Sequence, residues 1–465
     1  AAGGLSDLGI SPGDTVTLYA SNSWEWIVSY YAIARLGAII NPVNTMLTPD
    51  EIEYVVKDCG AKAIIASQEK VAGIMGVKAV SDVSVIISFG SEIAKGTVSF
   101  EALIAANIPA PASINVDPAA LSTIGYTSGT TGHPKGAMQS HRAVITNGAM
   151  TSQMQMRGAD DCIVSALPCP HVYANVIMMS MMMFGSKLVL HRAFDVDLAF
   201  ADITAHKATI FDGVPAMYMF MLNHPELDSY DLSSLRCCTV GGQTMPKPKM
   251  EEVEQRFGCP LIELWGMTEL GGLGTTFASN GPVKHGSIGV ALPYIEARIA
   301  DTEDASKTLP AGEVGELMIK GGIVMQGYYG NEQATRDTIE ADGWLHTGDL
   351  GTMDEDGCVF IVDRKKDMII VSGFNVFPNE VEAVVNEHPA VLECGCVGIK
   401  GENSQESVKV FIVLHEGQSL SEDELISFCR EKLTAYKVPK HVEFISEIPK
   451  TNVGKVLRRE LKANS

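Results

Sequence analysis
The chain has no run of about 18 uninterrupted apolar residues, the length that a membrane-spanning helix requires. Its richest apolar stretch, Val172 to Phe184, is too short and carries Asn175 and Ser180. Positive charge is in deficit: 35 lysines and arginines stand against 56 aspartates and glutamates, a formal net charge of −21. Such an acid balance disfavours nucleic acid and anionic membranes as bulk partners, and a nucleotide ligand would need a localised cationic site. Metal and redox signatures are missing as well. Ten cysteines are present but none are spaced CxxC: Cys237 and Cys238 are adjacent, Cys394 and Cys396 lie one residue apart, and no HExxH occurs. Thiols without such a framework are expected to stay reduced, which points to a cytoplasmic protein. There is no low-complexity tract, no short-period repeat and no legible signal peptide. The opening AAGGLSDLGISPGD reads as a helix-to-loop transition, so further residues are expected upstream.

What is present suits a globular protein. The hydrophobic content of 46 % is ordinary, and 465 residues suggest more than one core. The most distinctive stretch is YTSGTTGHPKG, Tyr126 to Gly136. Seven of its eleven residues are Gly, Ser or Thr, and one ammonium, Lys135, sits near its end. Such a loop can turn its backbone amides inward toward the oxygens of a polyphosphate. It departs from the P-loop pattern, because Pro134 precedes Lys135 and Gly136 follows it. The plainer alternative is a Gly/Thr surface loop.

Around it, apolar strands alternate with amphipathic helices. Strand Thr15 to Tyr19, helix Trp24 to Leu36, strand Gly37 to Pro42, helix Asp50 to Asp58 and strand Ala61 to Ile65 come first, and Ser122 to Tyr126 leads into the loop. A helix is expected from Ser140 to Met154. Further strands follow at Asp161 to Leu167, Phe184 to Leu190, Ile210 to Val214 and Arg236 to Gly241. This α/β alternation implies doubly wound, mostly parallel sheets. Their strands end in PCPHVY, DGVPAMY, VGGQTMP and ELWGMTE, turns expected at one crevice. From Gly286 onward, short strands with Gly turns suggest a small β-barrel or a distorted sheet. From DRKKDMI onward, helices and strands alternate over about a hundred residues, a compact α+β unit. The expected division is a large domain over residues 1–364 and a small mobile one over 365–465.

The loop resembles the phosphate-loop signature of the adenylate-forming superfamily, which comprises acyl-CoA ligases, luciferases and the adenylation domains of peptide synthetases. VGGQTMP, ELWGMTE, TGD, DRKKDMIIVSGFNVFPNEVE and PKTNVGKVLRREL match the same family in order, and the last two look most like fatty-acyl-CoA ligases. The resemblance implies that Thr127, Ser128, Gly129, Thr130, Thr131 and Lys135 bind the phosphates of ATP. It implies Mg²⁺ on Glu269 and the α-phosphate on Thr268; the plainer reading of that pair is a helix cap. Trp265 and Gly266, with Gly241, Gly242 and Gln243, would border the adenine. Asp349 and Arg364 would take the ribose, against the alternatives of a turn aspartate and an arginine paired with Asp363 or Asp367.

In the same way Lys455 would offset charge as a carboxylate attacks the α-phosphorus. Lys366 would be the hinge about which the small domain turns, and Gly373 would then leave room for the pantetheine arm of CoA. His171 resembles the gate near the substrate carboxylate, with a packed core histidine as its rival reading. The methionine-rich stretch behind it would line an aliphatic tunnel or serve as core, and Asp212, Val214 and Met217 would form another wall. Val172, Tyr173 and Asn175 near the gate supply no carboxylate for an amine, which disfavours amino-acid substrates. The expectation is an ATP-dependent acyl-CoA ligase acting on a medium- or long-chain fatty acid. An aryl or hydroxycinnamic acid is the alternative substrate, and a luciferase-like monooxygenase the alternative class. Oligomeric state stays open, a homodimer included.

Overall fold
The computed structural model describes residues 1–79, 81–112, 115–127, 133–371, 374–400, 406–450 and 456–463. The chain divides into two units, Ala1–Glu296 with Ile319–Leu345, and Ala297–Met318 with His346–Ser465.

The first unit holds two seven-stranded sheets. The first comprises β1 (Thr15–Tyr19), β2 (Ile39–Pro42), β3 (Ala61–Ser67), β4 (Val85–Phe89), β5 (Val98–Ser99), β6 (Leu121–Thr127) and β7 (Lys135–Ser140), in the order β5-β4-β3-β1-β2-β6-β7. All neighbours are parallel except β6 and β7. Strand alternation sends Val16, Leu18, Ala63 and Ile65 to one face and Tyr19, Ile64 and Ala66 to the other. Helix Trp24–Arg35 buries Trp26, Tyr30 and Ile33 on the first face; helix Pro49–Asp58 buries Ile52, Val55 and Val56 on the second. Both faces are therefore covered, as the apolar strands require. Each helix begins where its sequence signals a start. The Ser23 hydroxyl accepts from Trp26 N, and Thr48 with Glu51 forms a capping box ahead of Pro49.

The second sheet comprises β8 (Cys162–Ser165), β9 (Lys187–Leu190), β10 (Ile210–Gly213), β11 (Cys237–Val240), β12 (Leu261–Met267), β13 (Gly272–Thr276) and β14 (Val290–Ala291), in the order β14-β13-β12-β11-β10-β8-β9. β9, β8, β10, β11 and β12 run parallel, β13 is antiparallel to β12, and β14 is antiparallel to β13. The carboxyl ends of β8, β10, β11 and β12 thus emerge along one edge; of the four expected turns, ELWGMTE is mostly strand β12, and only its Thr268 and Glu269 turn. This is the doubly wound parallel architecture that the sequence implies.

The second unit opens with β15 (Glu296–Ala300), β16 (Gly315–Lys320), β17 (Leu345–Met353) and β18 (Val359–Arg364), a four-stranded sheet in that order. Among the described residues this is the distorted-sheet alternative rather than a closed barrel. The hairpin of β19 (Ile369–Val371) and β20 (Phe374–Val376) follows, then a three-stranded sheet of β21 (Val391–Lys400), β22 (Glu406–Leu414) and β23 (His441–Phe444). Helices Pro378–Val385 and Glu422–Arg430 pack Val381, Val385, Leu425 and Cys429 on one face of that sheet, and Leu461 packs on the other. All ten cysteines are free and buried. Among the described residues no helix is long and apolar enough to cross a membrane.

Candidate active site
The glycine-rich stretch connects two antiparallel strands. Tyr126 lies opposite Gly136 and Thr127 opposite Lys135, so the loop leaves and re-enters the sheet at its edge. Helix His141–Met154 begins only after β7, where the Ser140 hydroxyl accepts from Ala143 N. Ser128, Gly129, Thr130 and Thr131 lie outside the described residues, as do Gly373 and Lys455.

The end of β12 meets this hairpin. A Cβ on Gly125 would lie 2.7 Å from Thr268 Cγ2, so only glycine permits that approach. Gln139 Nε2 donates to Thr268 O at 2.9 Å. Gly266 is equally confined, since a Cβ there would lie 2.1 Å from Gly272 O. Trp265, half-buried, sits opposite Thr275 on β13. Thr268 and Glu269 form a short 3₁₀ turn, and Glu269 is buried.

One residue that the sequence did not single out joins these parts. Tyr328, in GYYGN, donates its phenolic hydrogen to Glu269 Oε1 at 2.8 Å. Its ring lies 5.2 Å from Lys135 Nζ, within cation–π reach. The backbone around it runs beside β7: Met138 N donates to Gly327 O at 2.9 Å and Gln326 N to Met138 O at 2.8 Å. Met325 N also donates to Glu269 O at 2.8 Å. Burial and the adjacent Glu269 carboxylate push the phenol pKa far up, so it stays a donor. Lys135, Thr268, Glu269 and Tyr328 therefore form one group.

Along the same sheet edge, Gly241 and Gly242 follow β11, and Gln243 Nε2 is buried without a partner among the described residues. His171 is an exposed helix cap whose Nδ1 accepts from Tyr173 N at 3.2 Å, which sets aside the packed-core alternative. The helix Val172–Phe184 that it caps packs Met178 and Met179 into the core and exposes Met182 and Met183. Asp212 does not form a pocket wall. Its fully buried carboxylate takes both terminal nitrogens of Arg157, at 2.7 and 3.0 Å, and the Thr239 hydroxyl at 2.5 Å. A buried carboxylate needs such partners, so it is committed to structure.

In the second unit, Asp349 on β17 lies opposite Arg364 on β18, and Arg364 Nε reaches Asp349 Oδ1 at 3.1 Å. The guanidinium thus pairs with the very aspartate expected to share its ligand, while Asp363 accepts from the Arg364 backbone N–H instead. Glu316, also unanticipated, organises the turn before Asp349. Its carboxylate accepts from Gly348 N at 3.1 Å and Lys365 Nζ at 2.9 Å, and contacts His346 Nδ1 at 3.1 Å. Burial alone would raise its pKa, but His346 and Lys365 hold it down to about 2. Lys366 follows in a turn. Arg458, three residues past Lys455, is held by Glu382 at 2.9 Å and lies 3.5 Å from Asp367.

A family model described as AMP-binding enzyme matches residues 1–329, and one for the AMP-binding enzyme C-terminal domain matches residues 380–455. The chain belongs to the AMP-binding enzyme family. It is 36 % identical to a long-chain-fatty-acid–CoA ligase of Escherichia coli O6:H1, over 98 % of this chain and 86 % of that protein. It is 35 % identical to 4-coumarate–CoA ligase 5 of Oryza sativa, over 99 % of this chain and 87 % of that one. Among solved structures it resembles ATP-bound MatB from Rhodopseudomonas palustris, at 30 % identity and a TM-score of 0.92, over 100 % of this chain and 92 % of that one.

The residues of this AMP-binding enzyme fit a magnesium nucleotide. Lys135 has no carboxylate partner among the described residues, so its charge remains available for phosphate. Glu269 offers an oriented carboxylate, which together with phosphate oxygens suits a hard cation that keeps its waters. Gln243 offers an unused buried donor, the kind of group a bound base satisfies.

Proposed function
We propose that this AMP-binding enzyme is an ATP-dependent, AMP-forming acyl-CoA ligase whose acid is a medium- or long-chain fatty acid. The observation that carries the reading is the joining of Lys135 and Glu269 through Tyr328, at the mouth of the glycine-rich hairpin. An ammonium with no carboxylate partner among the described residues and an oriented carboxylate, joined through one phenol, support the reading, since a magnesium polyphosphate needs both. The long-chain-fatty-acid–CoA ligase relatives support the activity and the acid.

Residue by residue, Thr127, Ser128, Gly129, Thr130, Thr131 and Lys135 receive the phosphates of ATP, and Thr268 receives the α-phosphate. Glu269 holds Mg²⁺, which when bound neutralises phosphate charge. Trp265, Gly266, Gly241, Gly242 and Gln243 border the adenine, while Asp349 and Arg364 take the ribose hydroxyls. His171 sits on the acyl side. In the first half-reaction an oxygen of the acid attacks the α-phosphorus and the bond to the β-phosphate oxygen breaks, giving acyl-adenylate and pyrophosphate. Lys455 offsets the charge that builds up. Residues 365–465 then turn about Lys366, Gly373 admits CoA, and the CoA thiolate displaces AMP from the acyl carbon. Free buried thiols suit the reducing cytoplasm as the compartment.

An aryl or hydroxycinnamic acid is the second reading, favoured by the 4-coumarate–CoA ligase relative. Pyrophosphate release across a panel of acids, with and without CoA, separates the two. Octanoate and longer chains should outrun 4-coumarate and benzoate; the reverse order would reject the fatty-acid assignment.

A further inference from the structure
One helix grips both shoulders of the glycine-rich hairpin. Helix Pro49–Asp58 is seated by Ile52, Val55 and Val56, and its first turn is fixed by the Thr48–Glu51 capping box. Tyr54 and Asp58 are four residues apart, hence neighbours on the helix surface. The Tyr54 ring stacks on the His133 imidazole, with centroids 4.4 Å apart and planes 14° from parallel. Asp58 Oδ2 accepts from the Tyr126 phenol at 2.5 Å. Tyr126 is the last residue but one of β6, and His133 lies two residues before β7. Tyr126 and His133 are thus both tied to the same helix.

Both contacts face solvent: Asp58 and His133 are exposed, and Tyr54 is only half-buried. Exposed contacts of this kind add little to stability. Two of them from one helix to the two ends of one loop therefore bear on where that loop is held. Burial, then the nearby Cys59 and Asp58, push the Tyr126 phenol pKa far up, so it remains a donor at any working pH.

We propose that Tyr54 and Asp58 are positioning residues that hold the ends of the glycine-rich hairpin and thereby set its affinity for the triphosphate of ATP. This rests on the assignment of that hairpin to the phosphates. Neither side chain needs to touch the nucleotide. They act by fixing Tyr126 and His133, the described residues on either side of the phosphate-binding stretch.

Calorimetric titration with a non-hydrolysable ATP analogue, alongside KM and kcat for ATP and for the acid, tests this on the whole chain. Tyr54→Leu and Asp58→Ala, which removes the acceptor for the Tyr126 phenol, should each weaken analogue binding and raise the KM for ATP by about five- to tenfold, with the KM for the acid and the melting temperature nearly unchanged. Tyr54→Phe keeps the stacked ring and should bind like wild type. Tyr54→Leu combined with His133→Leu should be no worse than either change alone. Wild-type affinity in both single variants would overturn the clamp while leaving the phosphate assignment standing. No analogue binding by the wild-type protein would overturn that assignment, and the clamp with it.

Discussion

Removing the Tyr328 hydroxyl isolates what that phenol does for Glu269. Its hydrogen bond ends on a buried carboxylate, and bonds of that kind contribute about 1.5 to 3 kcal/mol. Tyr328→Phe keeps the ring beneath Lys135 and loses only the donor. The expected outcome is a fall of roughly tenfold or more in kcat/KM for MgATP, with a raised magnesium requirement and an unchanged KM for the acid. Magnesium titrations of the two proteins check this, and superimposable curves would remove Tyr328 from the account. Lys135 and Glu269 were legible because each sits in a stretch with its own chemical character, one rich in glycine and threonine, the other a Thr-Glu after a strand. Tyr328 was not, since GYYG reads locally as a turn. Its role arises only when the chain returns, almost two hundred residues after Lys135, to run beside β7. Asp212 was misjudged for the same reason: its partner Arg157 is 55 positions away in sequence.

At the scale of elements, strand and helix positions in both large sheets followed from apolar strands alternating with amphipathic helices, often within one or two residues. β7 did not. KGAMQS has no apolar alternation, and its extended state comes from pairing with β6. The small helix Phe100–Ala105 escaped notice inside a loop-like stretch. β12 carries a testable charge. Glu263 on it is buried, and burial lifts its pKa to about 7, partly opposed by the Gly286 N–H that it accepts at 2.9 Å. A carboxylic acid with a raised folded pKa favours the folded state most while protonated. That advantage is full below about pH 4.5 and is lost as pH rises toward 7. Glu263→Gln keeps the acceptor for Gly286 and removes the titration. Relative to wild type, the variant should gain about 2 kcal/mol between pH 5 and pH 8, read from urea unfolding midpoints. A difference that stays constant with pH would show that Glu263 does not titrate in this range.

For the molecule as a whole, the two half-reactions are assigned to different parts of the chain. In the proposed function Lys455 acts in the first alone. Lys455→Ala should therefore slow pyrophosphate formation by about a hundred- to a thousandfold, as loss of a charge-stabilising donor does. Conversion of supplied acyl-adenylate and CoA to thioester should continue near the wild-type rate, and an equal loss in both steps would contradict the assignment. The central claim is that a fatty acid is activated on its own carboxylate by transfer of AMP. Isotope exchange between pyrophosphate and ATP, run without CoA, measures that step directly. Exchange that depends on added fatty acid and falls sharply in Glu269→Gln is the predicted result. Fatty-acid-dependent turnover that releases ADP and phosphate, with no label entering ATP, would contradict it.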